Sequence, residues 1–561
     1  MLIRSTLAAA VVATSALASA AAHARGDTGN VIFLHPDGTS ASHWTAARMY
    51  WKGPDGLLNW DLLPQMAAYR GHMLELLTGT SNGGATTHAF GYRVEGLGSF
   101  GKDGNGNTLP PTDRFINALS GYPGSILREA ANKGHPTGLV NDGNVGEPGT
   151  GAFAAEVGNR DNWNAIALQI IAGRDGAMPA KASTDRAPRV ILGGGERNFL
   201  PQGTPMCAPA SASTTTQQGV LTYPLNCMVH TLDWSKPAGT GGPLGIGRVA
   251  TPDRTDARNL LAEAADAGYI VIRTRAEFAA VLARLESDRR WAPKILGLFA
   301  AHHSFNDRNE EELIASSFRN PAVPLTDKAS NLVLFGNPSA TDPGFNPPRG
   351  DELMRLAMIV LARHANASGM PYLLVAEPES TDNFGNSNNA IGSLVAAKVA
   401  DDMIGVALDA QNDRRRDLFG TRFPTTIVTA ADSDASGMQV LALPAPTAAV
   451  TAIPVNAAAG QPAFSAPLDG LYGRNSPSFL AAPDQFGRSL SFAIAWAGGP
   501  DFAGGILARA SGNRGENRDR PGNVTLDDFS ERFDNTDVYR FMYAKLFGRL
   551  LPPATTEAPT R

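Results

Sequence analysis

The chain has 561 residues, of which 43% are hydrophobic, and this content is enough to bury a large core. A formal net charge of −5 argues against a protein that binds nucleic acid through its charge. Two cysteines and ten histidines are few for a scaffold built on Cys/His zinc sites. The composition therefore excludes a globally disordered chain and predicts a folded protein without a nucleic-acid-binding patch.

The first 24 residues have the pattern of a secretory signal peptide. Arg4 supplies the positive start, Leu7 to Ala22 is apolar, and Ala22-His23-Ala24 fits a small-x-small cleavage site. An N-terminal membrane anchor is the alternative, but the apolar stretch has signal-peptide length and ends at a cleavable site. We therefore expect a periplasmic or secreted protein that is cleaved after Ala24 and has no later membrane span.

The two cysteines, Cys207 and Cys227, lie in a stretch rich in Ser, Thr, Gln and Pro. In an exported protein they are expected to close a local disulfide that ties down an insertion, with two free thiols as the alternative.

Strand-like and helical segments alternate along the chain. Apolar, β-branched runs that end in polar or Gly-rich turns predict strands at Asn30–Leu34, Gly138–Val140, Val190–Leu192, Tyr269–Ile272, Ile295–Phe299, Tyr372–Val375 and Thr426–Thr429. Helical patterns lie between them at Ile126–Lys133, Trp163–Ala172, Asn259–Ala267, Ala276–Leu285, Gly350–Ala365 and Ala390–Gln411. This alternation predicts an α/β fold with a central, mostly parallel sheet flanked by helices and a site along the carboxyl edge.

Two regions depart from this alternation. Residues 200–256 are rich in Gly, Pro, Ser and Thr, and residues 436–485 are rich in Ala and Pro. Both are interpreted as loop insertions within one domain that spans residues 25–551. Residues 552–561 are expected to form a flexible tail.

Four carboxylates follow apolar strands and could meet at one edge of the sheet: Asp37, Glu377, Asp382 and Asp432. Clustered carboxylates repel one another unless cations neutralise them, and an all-oxygen set suits Mg²⁺, Mn²⁺ or Ca²⁺. The alternative is that these loop residues cap helices and turns.

Ser81 follows a Gly/Thr turn and opens a segment of small residues that favours a helix. Backbone N–H groups and the helix dipole favour an oxyanion at such a position, where a metal can activate a hydroxyl as a nucleophile. A serine that only caps the helix is the alternative.

Several segments, in the same order along the chain, resemble motifs of the alkaline phosphatase family. They are Asn30–Gly38 (NVIFLHPDG), Thr80–Arg93, Ala152–Arg160 (AFAAEVGNR), Val190–Pro201, Leu296–His303, Leu374–Asp382 (LVAEPESTD), Val428–Gly437 (VTAADSDASG) and Asn535–Gly548. The resemblance runs from about residue 28 to residue 549 and implies the fold and the phosphatase activity of that family.

The resemblance implies a role for each of six residues. Ser81 would be the nucleophile that forms a phosphoserine, and Arg160 would grip two phosphate oxygens. Four carboxylates would hold divalent metals: Asp37 as the bridge, Glu377 at a magnesium-type site, and Asp382 and Asp432 at the two catalytic ions. Glu147 and Thr150 are imperfect candidates for the rest of the magnesium-type site.

The chain departs from the family at its zinc-binding histidines. Asn386 stands where the first is expected, Ser433 directly follows Asp432 in place of the second, and Arg488 lies in the stretch that should hold the third. Asn386 and Asp434 are expected to act as replacement oxygen ligands, so that Mg²⁺ or Ca²⁺ is favoured over Zn²⁺. A decayed metal site is the alternative.

Three histidines near the expected site, at positions 35, 43 and 88, could supply one imidazole or a proton shuttle.

The expected function is exported, metal-dependent hydrolysis of phosphomonoesters through a phosphoserine. A phosphodiesterase, a sulfatase-like hydrolase and a non-catalytic exported binding protein are the alternatives. The expected partner is a phosphate-ester substrate; a homodimer is compatible with the sequence, which does not fix the oligomeric state.

Overall fold

A large sheet crosses the protein, and its central strands are parallel. The computed structural model describes residues 28–560 apart from 97–99, 103–113, 174–185, 209–213, 234–247, 317–327, 329–330, 337–342, 413–415, 452, 456–463, 513–523 and 530–532. The predicted signal peptide at residues 1–24 lies outside the described residues.

In chain order the described strands of the main sheet are β1 Asn30–Leu34, β2 Gln65–Arg70, β3 Thr137–Asn144, β4 Val190–Gly194, β5 Tyr269–Ile272, β6 Lys294–Leu298, β7 Leu373–Glu377, β8 Thr425–Thr429, β9 Leu507–Ser511 and β10 Phe533–Asp534. Their order across the sheet is β10-β2-β9-β8-β1-β7-β3-β4-β6-β5. The run from β8 to β5 is parallel throughout. The predicted fold class, a mostly parallel central sheet flanked by helices, is confirmed.

Strand β1 lies at the middle of the sheet, hydrogen-bonded between β7 and β8. Its apolar residues alternate between the two faces: Val31 and Phe33 join one core, and Ile32 and Leu34 join the other. Because both faces are covered, Val31 to Leu34 are all apolar, as expected of a buried parallel strand. The polar residues at the carboxyl end of the strand are His35 and Asp37.

The helices cover both faces of the sheet. Their bounds are α1 Ala41–Lys52, α2 Ser81–Phe90, α3 Ile126–Asn132, α4 Pro148–Ala154, α5 Trp163–Ala172, α6 Leu260–Asp266, α7 Arg275–Ser287, α8 Glu310–Ala315, α9 Gly350–Ser368, α10 Ser380–Asn386, α11 Ala390–Gln411, α12 Arg416–Phe419 and α13 Asn535–Phe547. Helices α2 to α5 and α13 pack on the face of Phe33, and α7, α9 and α11 pack on the face of Leu34. The sheet therefore lies between two packed cores.

The antiparallel edge of the sheet was not predicted. Strand β9 pairs antiparallel with β8 and with β2, so the sheet extends beyond its parallel centre. The sequences QMAAYR and LARAS are short and mix small, charged and apolar residues, so their periodicity is weak. Pairing with an existing sheet edge, rather than local preference, makes them strands.

The region 436–485, expected to be a loop insertion, carries most of a small antiparallel sheet. Its strands are Gln439–Leu443, Leu468–Gly470, Gly473–Arg474, Phe479–Leu480 and Ser491–Ala495. The Ala/Pro-rich composition gave no signal for these short strands. Three of them pair with the apolar segment at 491–495, and Gly473–Arg474 pairs with Leu468–Gly470.

The predicted disulfide is confirmed: Cys207 and Cys227 are bonded. The carboxyl-terminal segment runs back to the body of the protein, where the Asn117 N–H donates to the Pro559 carbonyl at 3.1 Å. The flexibility expected of residues 552–561 stays a prediction. In the part of the chain described, no helix combines the length and apolar character needed to cross a bilayer.

Candidate active site

Three neighbouring strands bring carboxylates to the same edge of the sheet. Asp37 follows β1, Glu377 ends β7, and Asp432 follows β8. The turn after Asp37 needs a glycine, because Gly38 has φ +61° and a Cβ there would lie 2.6 Å from Asp382 Oδ1. The Gly38 N–H points at Asp432 Oδ1, at 3.4 Å. Four carboxylates from three distant segments of the sequence therefore meet near one turn.

Asp37 belongs to two groups of side chains whose possible ligand atoms all lie within 4.8 Å of one another. One group adds Glu377 and Glu379, and the other adds His35 and Asp432. Both carboxylate oxygens of Asp37, together with Asp432 Oδ2 and Glu379 Oε2, are buried and have no hydrogen-bond partner among the described residues. Buried carboxylate oxygens without partners are costly unless a cation or a proton satisfies them. These residues therefore fit the divalent metals that the sequence predicts, and Asp37 is common to both groups. Its bridging role stays a prediction.

The burial and crowding of these carboxylates shift their pKa values. Burial, reinforced by the charges of Asp432, Asp382 and Glu377, raises the pKa of Asp37 well above its usual range. Burial also raises the pKa of Glu377 to about 7, although nearby His35 opposes the rise. Burial would raise the pKa of Asp432 too, but nearby Asp37 and His35 hold it below its ordinary value. Full ionisation of the set requires added positive charge.

Glu377 is held by the start of helix α4. Its Oε1 accepts from the Gly149 N–H at 2.7 Å, and its Oε2 accepts from Asn141 Nδ2 at 2.5 Å and Thr150 Oγ1 at 3.1 Å. Thr150, an imperfect candidate in the sequence, therefore contacts the predicted magnesium-type ligand directly. A Cβ on Gly149 would lie 2.3 Å from Glu377 Oε1, so this close approach depends on glycine.

The other predicted ligands lie beside these two groups rather than within them. Asn386 Nδ2 donates to both oxygens of Asp382, at 2.9 and 3.0 Å, and to Asp501 Oδ1 at 3.2 Å. Asn386 thus turns its amide nitrogen, not its oxygen, toward the carboxylates. Asp434 Oδ1 lies 3.6 Å from His43 Nδ1. The ligand roles of Asp382, Asn386 and Asp434 stay predictions.

Ser81 is the first residue of helix α2, and it does not cap the helix. The cap is Thr80, whose hydroxyl accepts from the Gly83 N–H at 3.2 Å. Glycines on either side of Ser81 let the helix start pack against the Asp432 loop: a Cβ on Gly79 would lie 2.3 Å from Asp432 O, and one on Gly84 2.5 Å from Asp432 Cβ. The alternative of a plain capping serine is therefore wrong, and the helix starts next to a candidate metal ligand.

Arg160 lies close enough to the carboxylates to feel their charge. Its Nη2 donates to Glu147 Oε2 at 3.1 Å, and Glu147 Oε1 lies 2.6 Å from His303 Nε2. Burial would lower the pKa of the Arg160 guanidinium, but the charges of Glu147, Glu379 and other nearby carboxylates raise it. A third of its side chain remains exposed, so the guanidinium can reach a bound anion.

Sequence reasoning missed Glu379 and Asp501 and left His35 as one of three equal imidazoles. His35 and Glu379 each lie two residues from a predicted ligand, and that spacing was an available signal. Asp501 directly follows the Gly499-Pro500 pair near which the third family histidine was sought, yet nothing local marks it. Of the three histidines, His35 belongs to the candidate ligand group with Asp37 and Asp432. His88 is instead hydrogen-bonded to the Tyr69 hydroxyl at 2.7 Å.

Replacing Gly84 with alanine should lower kcat/KM by about 100-fold, since small misplacements of a reacting group have effects of this size. The added Cβ would push the helix that begins at Ser81 away from Asp432. Gly505→Ala is the matched control, because no atom lies within 4 Å of its added Cβ and its φ is not positive. Steady-state kinetics on both variants decides, and equal activities would contradict the packing argument.

Comparison with known proteins supports this reading of the fold. Residues 28–227, less than half of the chain, match the model of the alkaline phosphatase family. The alkaline phosphatase from the Antarctic bacterium TAB5 is 15% identical, with a TM-score of 0.52 over 93% of this chain and 99% of its own. That of Thermus thermophilus is 15% identical, with a TM-score of 0.54 over 95% of this chain and 93% of its own. No curated protein matches the chain by sequence.

These likenesses confirm the resemblance to alkaline phosphatases. At 15% identity the solved structures establish a shared fold and leave the activity of this chain open. The two clusters of carboxylate and histidine side chains around Asp37 agree with the prediction that the protein binds divalent metal.

Proposed function

We propose that the protein is an exported, divalent-metal-dependent phosphomonoester hydrolase that acts through a phosphoserine at Ser81. The observation that carries this proposal is a serine at an already capped helix start that packs against Asp432, a member of one of the two candidate ligand groups that share Asp37. A nucleophile, a bridging ligand and an arginine facing the same carboxylates are the parts that phosphoryl transfer needs.

The proposed reaction has two displacements at phosphorus. Divalent cations bound by the two groups would lower the pKa of the serine hydroxyl and neutralise charge on the phosphate. Ser81 Oγ gives up its proton to solvent and forms a bond to phosphorus while the bond from phosphorus to the alcohol oxygen breaks, and the departing oxygen takes a proton from water. Water then attacks the phosphoserine, which releases phosphate and restores the Ser81 hydroxyl. The N–H groups at the start of α2 favour the negative charge that collects there.

Arg160 is proposed to grip the transferred phosphate. Its planar fork can pair with two phosphate oxygens, and Glu147 orients it through the hydrogen bond at 3.1 Å. Glu147 is itself fixed by His303. Burial would raise the pKa of Glu147, but the hydrogen bond from His303 and the charge of Arg160 lower it to about 2, so Glu147 stays ionised in neutral solution.

Arg160→Lys should raise KM about tenfold or more, with a smaller fall in kcat. A lysine keeps the charge but loses the two-pronged contact with phosphate. Inorganic phosphate should weaken as a competitive inhibitor by a similar factor. Arg355→Lys is the control, because Arg355 pairs with exposed Glu286 outside the site. An unchanged KM and inhibition constant in Arg160→Lys would remove the phosphate-gripping role.

The donor set of the first group guides the choice of metal. Asp37, Glu377 and Glu379 offer oxygen alone, and oxygen-only sites suit Mg²⁺, Ca²⁺ or Mn²⁺ rather than Zn²⁺. Mg²⁺ or Ca²⁺ is therefore proposed for this group.

The function is tested by assaying the purified protein after chelation and after separate addition of Mg²⁺, Ca²⁺, Mn²⁺ and Zn²⁺. The substrates are p-nitrophenyl phosphate, bis(p-nitrophenyl) phosphate and p-nitrophenyl sulfate. Metal-dependent turnover should be fastest on the monoester. Faster turnover of the diester or the sulfate would move the assignment to those classes. Phosphate binding without turnover under any metal would favour a non-catalytic binding protein.

Export remains part of the proposal. The Cys207–Cys227 disulfide supports it, because such bonds persist in oxidising compartments. Amino-terminal sequencing of the protein from the periplasm or medium should begin at Arg25. Recovery of the intact chain from the cytoplasm would contradict it.

A further inference from the structure

We propose that His35 replaces the zinc-type histidine that is missing after Asp432: its imidazole, with Asp37 and Asp432, forms a mixed nitrogen–oxygen site for a divalent transition metal such as Mn²⁺ or Zn²⁺. This inference rests on the proposed function and adds a ligand that the family motifs do not contain. It also separates the two groups that share Asp37, since only one of them contains a nitrogen donor.

The backbone fixes His35 between two carboxylates. Leu34, the last residue of β1, pairs with Ala376 of β7 and Thr429 of β8. The His35 N–H donates to the Ala376 carbonyl at 2.8 Å, which extends this pairing by one residue. The imidazole therefore lies between the ends of β7 and β8, where Glu377 and the Asp432 loop begin.

The two ring nitrogens face different carboxylates. Nε2 lies 3.5 Å from Asp432 Oδ1, and Nδ1 lies 3.8 Å from Glu377 Oε1. A histidine that binds metal through one nitrogen commonly directs its other N–H at a carboxylate, which fixes the tautomer and raises the basicity of the ligand. In this arrangement Nε2 is the ligand and Nδ1–H faces Glu377.

The ring is fully buried, and neither nitrogen has a hydrogen-bond partner among the described residues. The same is true of both oxygens of Asp37 and of Asp432 Oδ2. Unpartnered polar atoms from three side chains converge on one point. A bound cation would satisfy all three side chains together.

Neighbouring residues hold the ring in this orientation. The Phe33 ring stacks on it, with centroids 5.9 Å apart, and the His88 ring meets it edge-on at 5.3 Å. Space is left by Gly149, where a Cβ would lie 2.3 Å from His35 Nδ1. The pocket is thus shaped around an imidazole that comes from the end of β1, while the residue after Asp432 is a serine.

The test uses the full mature protein loaded with Mn²⁺ and pulsed electron paramagnetic resonance. Wild-type protein should show nitrogen coupling to the bound ion, and the coupling should change its isotope signature when the histidines carry ¹⁵N. His35→Gln should lose that coupling and bind Mn²⁺ at least about tenfold more weakly by equilibrium dialysis. His364→Gln is the matched control, since Nε2 of that ring is hydrogen-bonded to the Pro293 carbonyl at 2.9 Å.

The possible results separate this inference from the proposed function. Bound Mn²⁺ without nitrogen coupling, or coupling that survives in His35→Gln, would overturn the ligand role while leaving a metal-dependent hydrolase intact. Absence of Mn²⁺ binding to wild-type protein would remove both. Circular dichroism checks that His35→Gln folds, and His35→Asn provides a second variant if it does not.

Discussion

Replacing Ser81 with alanine is expected to lower kcat/KM for p-nitrophenyl phosphate by at least about 10³-fold, because the bond to phosphorus can no longer form at this side chain. Stability should change by less than about 0.5 kcal/mol, since Thr80 already supplies the helix cap. Acid quenching after incubation with ³²P-phosphate should trap labelled phosphoserine in wild-type protein and none in Ser81→Ala. Metal binding, followed by equilibrium dialysis, should persist in the variant.

Ser125→Ala is the matched control for this result. Ser125 is another buried serine at a helix start, and its hydroxyl does cap its helix by accepting from the Arg128 N–H at 3.2 Å. It should therefore lose about 1 kcal/mol of unfolding free energy and keep its activity. Activity retained by Ser81→Ala would exclude the nucleophile role. A loss of stability like that of Ser125→Ala would show that Ser81 is mainly structural.

The strands at the parallel centre of the fold could be predicted because the pattern that marks each of them lies within a short stretch of sequence. A buried parallel strand such as β1 has a continuous apolar run, Val31 to Leu34, and is followed by polar residues at the edge where ligands bind. The order of strands follows no local signal, so the sequence could place Asp37, Glu377 and Asp432 at strand ends without showing that they are neighbours. The resemblance to a family supplied that step.

The rest of the site could not be predicted, because it depends on contacts between distant segments. Asp501 reaches Asn386 across 115 positions of sequence, and Glu147 reaches His303 across 156. Neither pair follows from periodicity or from a motif. His35 shows a different limit: the family resemblance places an imidazole directly after Asp432, and the sequence offered His35, His43 and His88 equally as a substitute, whereas the structure groups His35 with Asp37 and Asp432. A coordination site is defined in space, and the same ligand type can come from a different strand.

Asp37→Asn is expected to have the second large effect, because Asp37 belongs to both groups. An amide offers one neutral oxygen where the carboxylate offers two charged ones, so both ions should bind more weakly. We expect kcat/KM to fall about 10³-fold or more, since phosphoryl transfer depends on charge neutralisation and positioning. Metal titrations monitored by activity and by equilibrium dialysis measure the two effects separately.

The difference in melting temperature between Asp37→Asn and wild type should reverse its sign when metal is added. Burial and neighbouring carboxylates raise the pKa of Asp37 in the folded state, so this group stabilises the metal-free fold at low pH and that contribution is lost as pH rises through the raised pKa. In chelator, Asp37→Asn should therefore melt above wild type at pH 8, with the difference closing as pH falls toward 4. With excess metal, wild type gains binding free energy that the variant lacks, and the order should reverse.

Asp469→Asn distinguishes a metal bridge from any buried carboxylate. Burial raises the pKa of Asp469 to about 6, and its Oδ2 accepts from Trp496 Nε1 at 2.6 Å, away from the site. This control should also gain stability relative to wild type between pH 4 and pH 8, but by the same amount with and without metal. If Asp37→Asn behaved in the same way, its raised pKa would reflect burial alone and Asp37 would not be the bridge. Only reversal of the melting order by metal requires that the crowded carboxylates are arranged for cations.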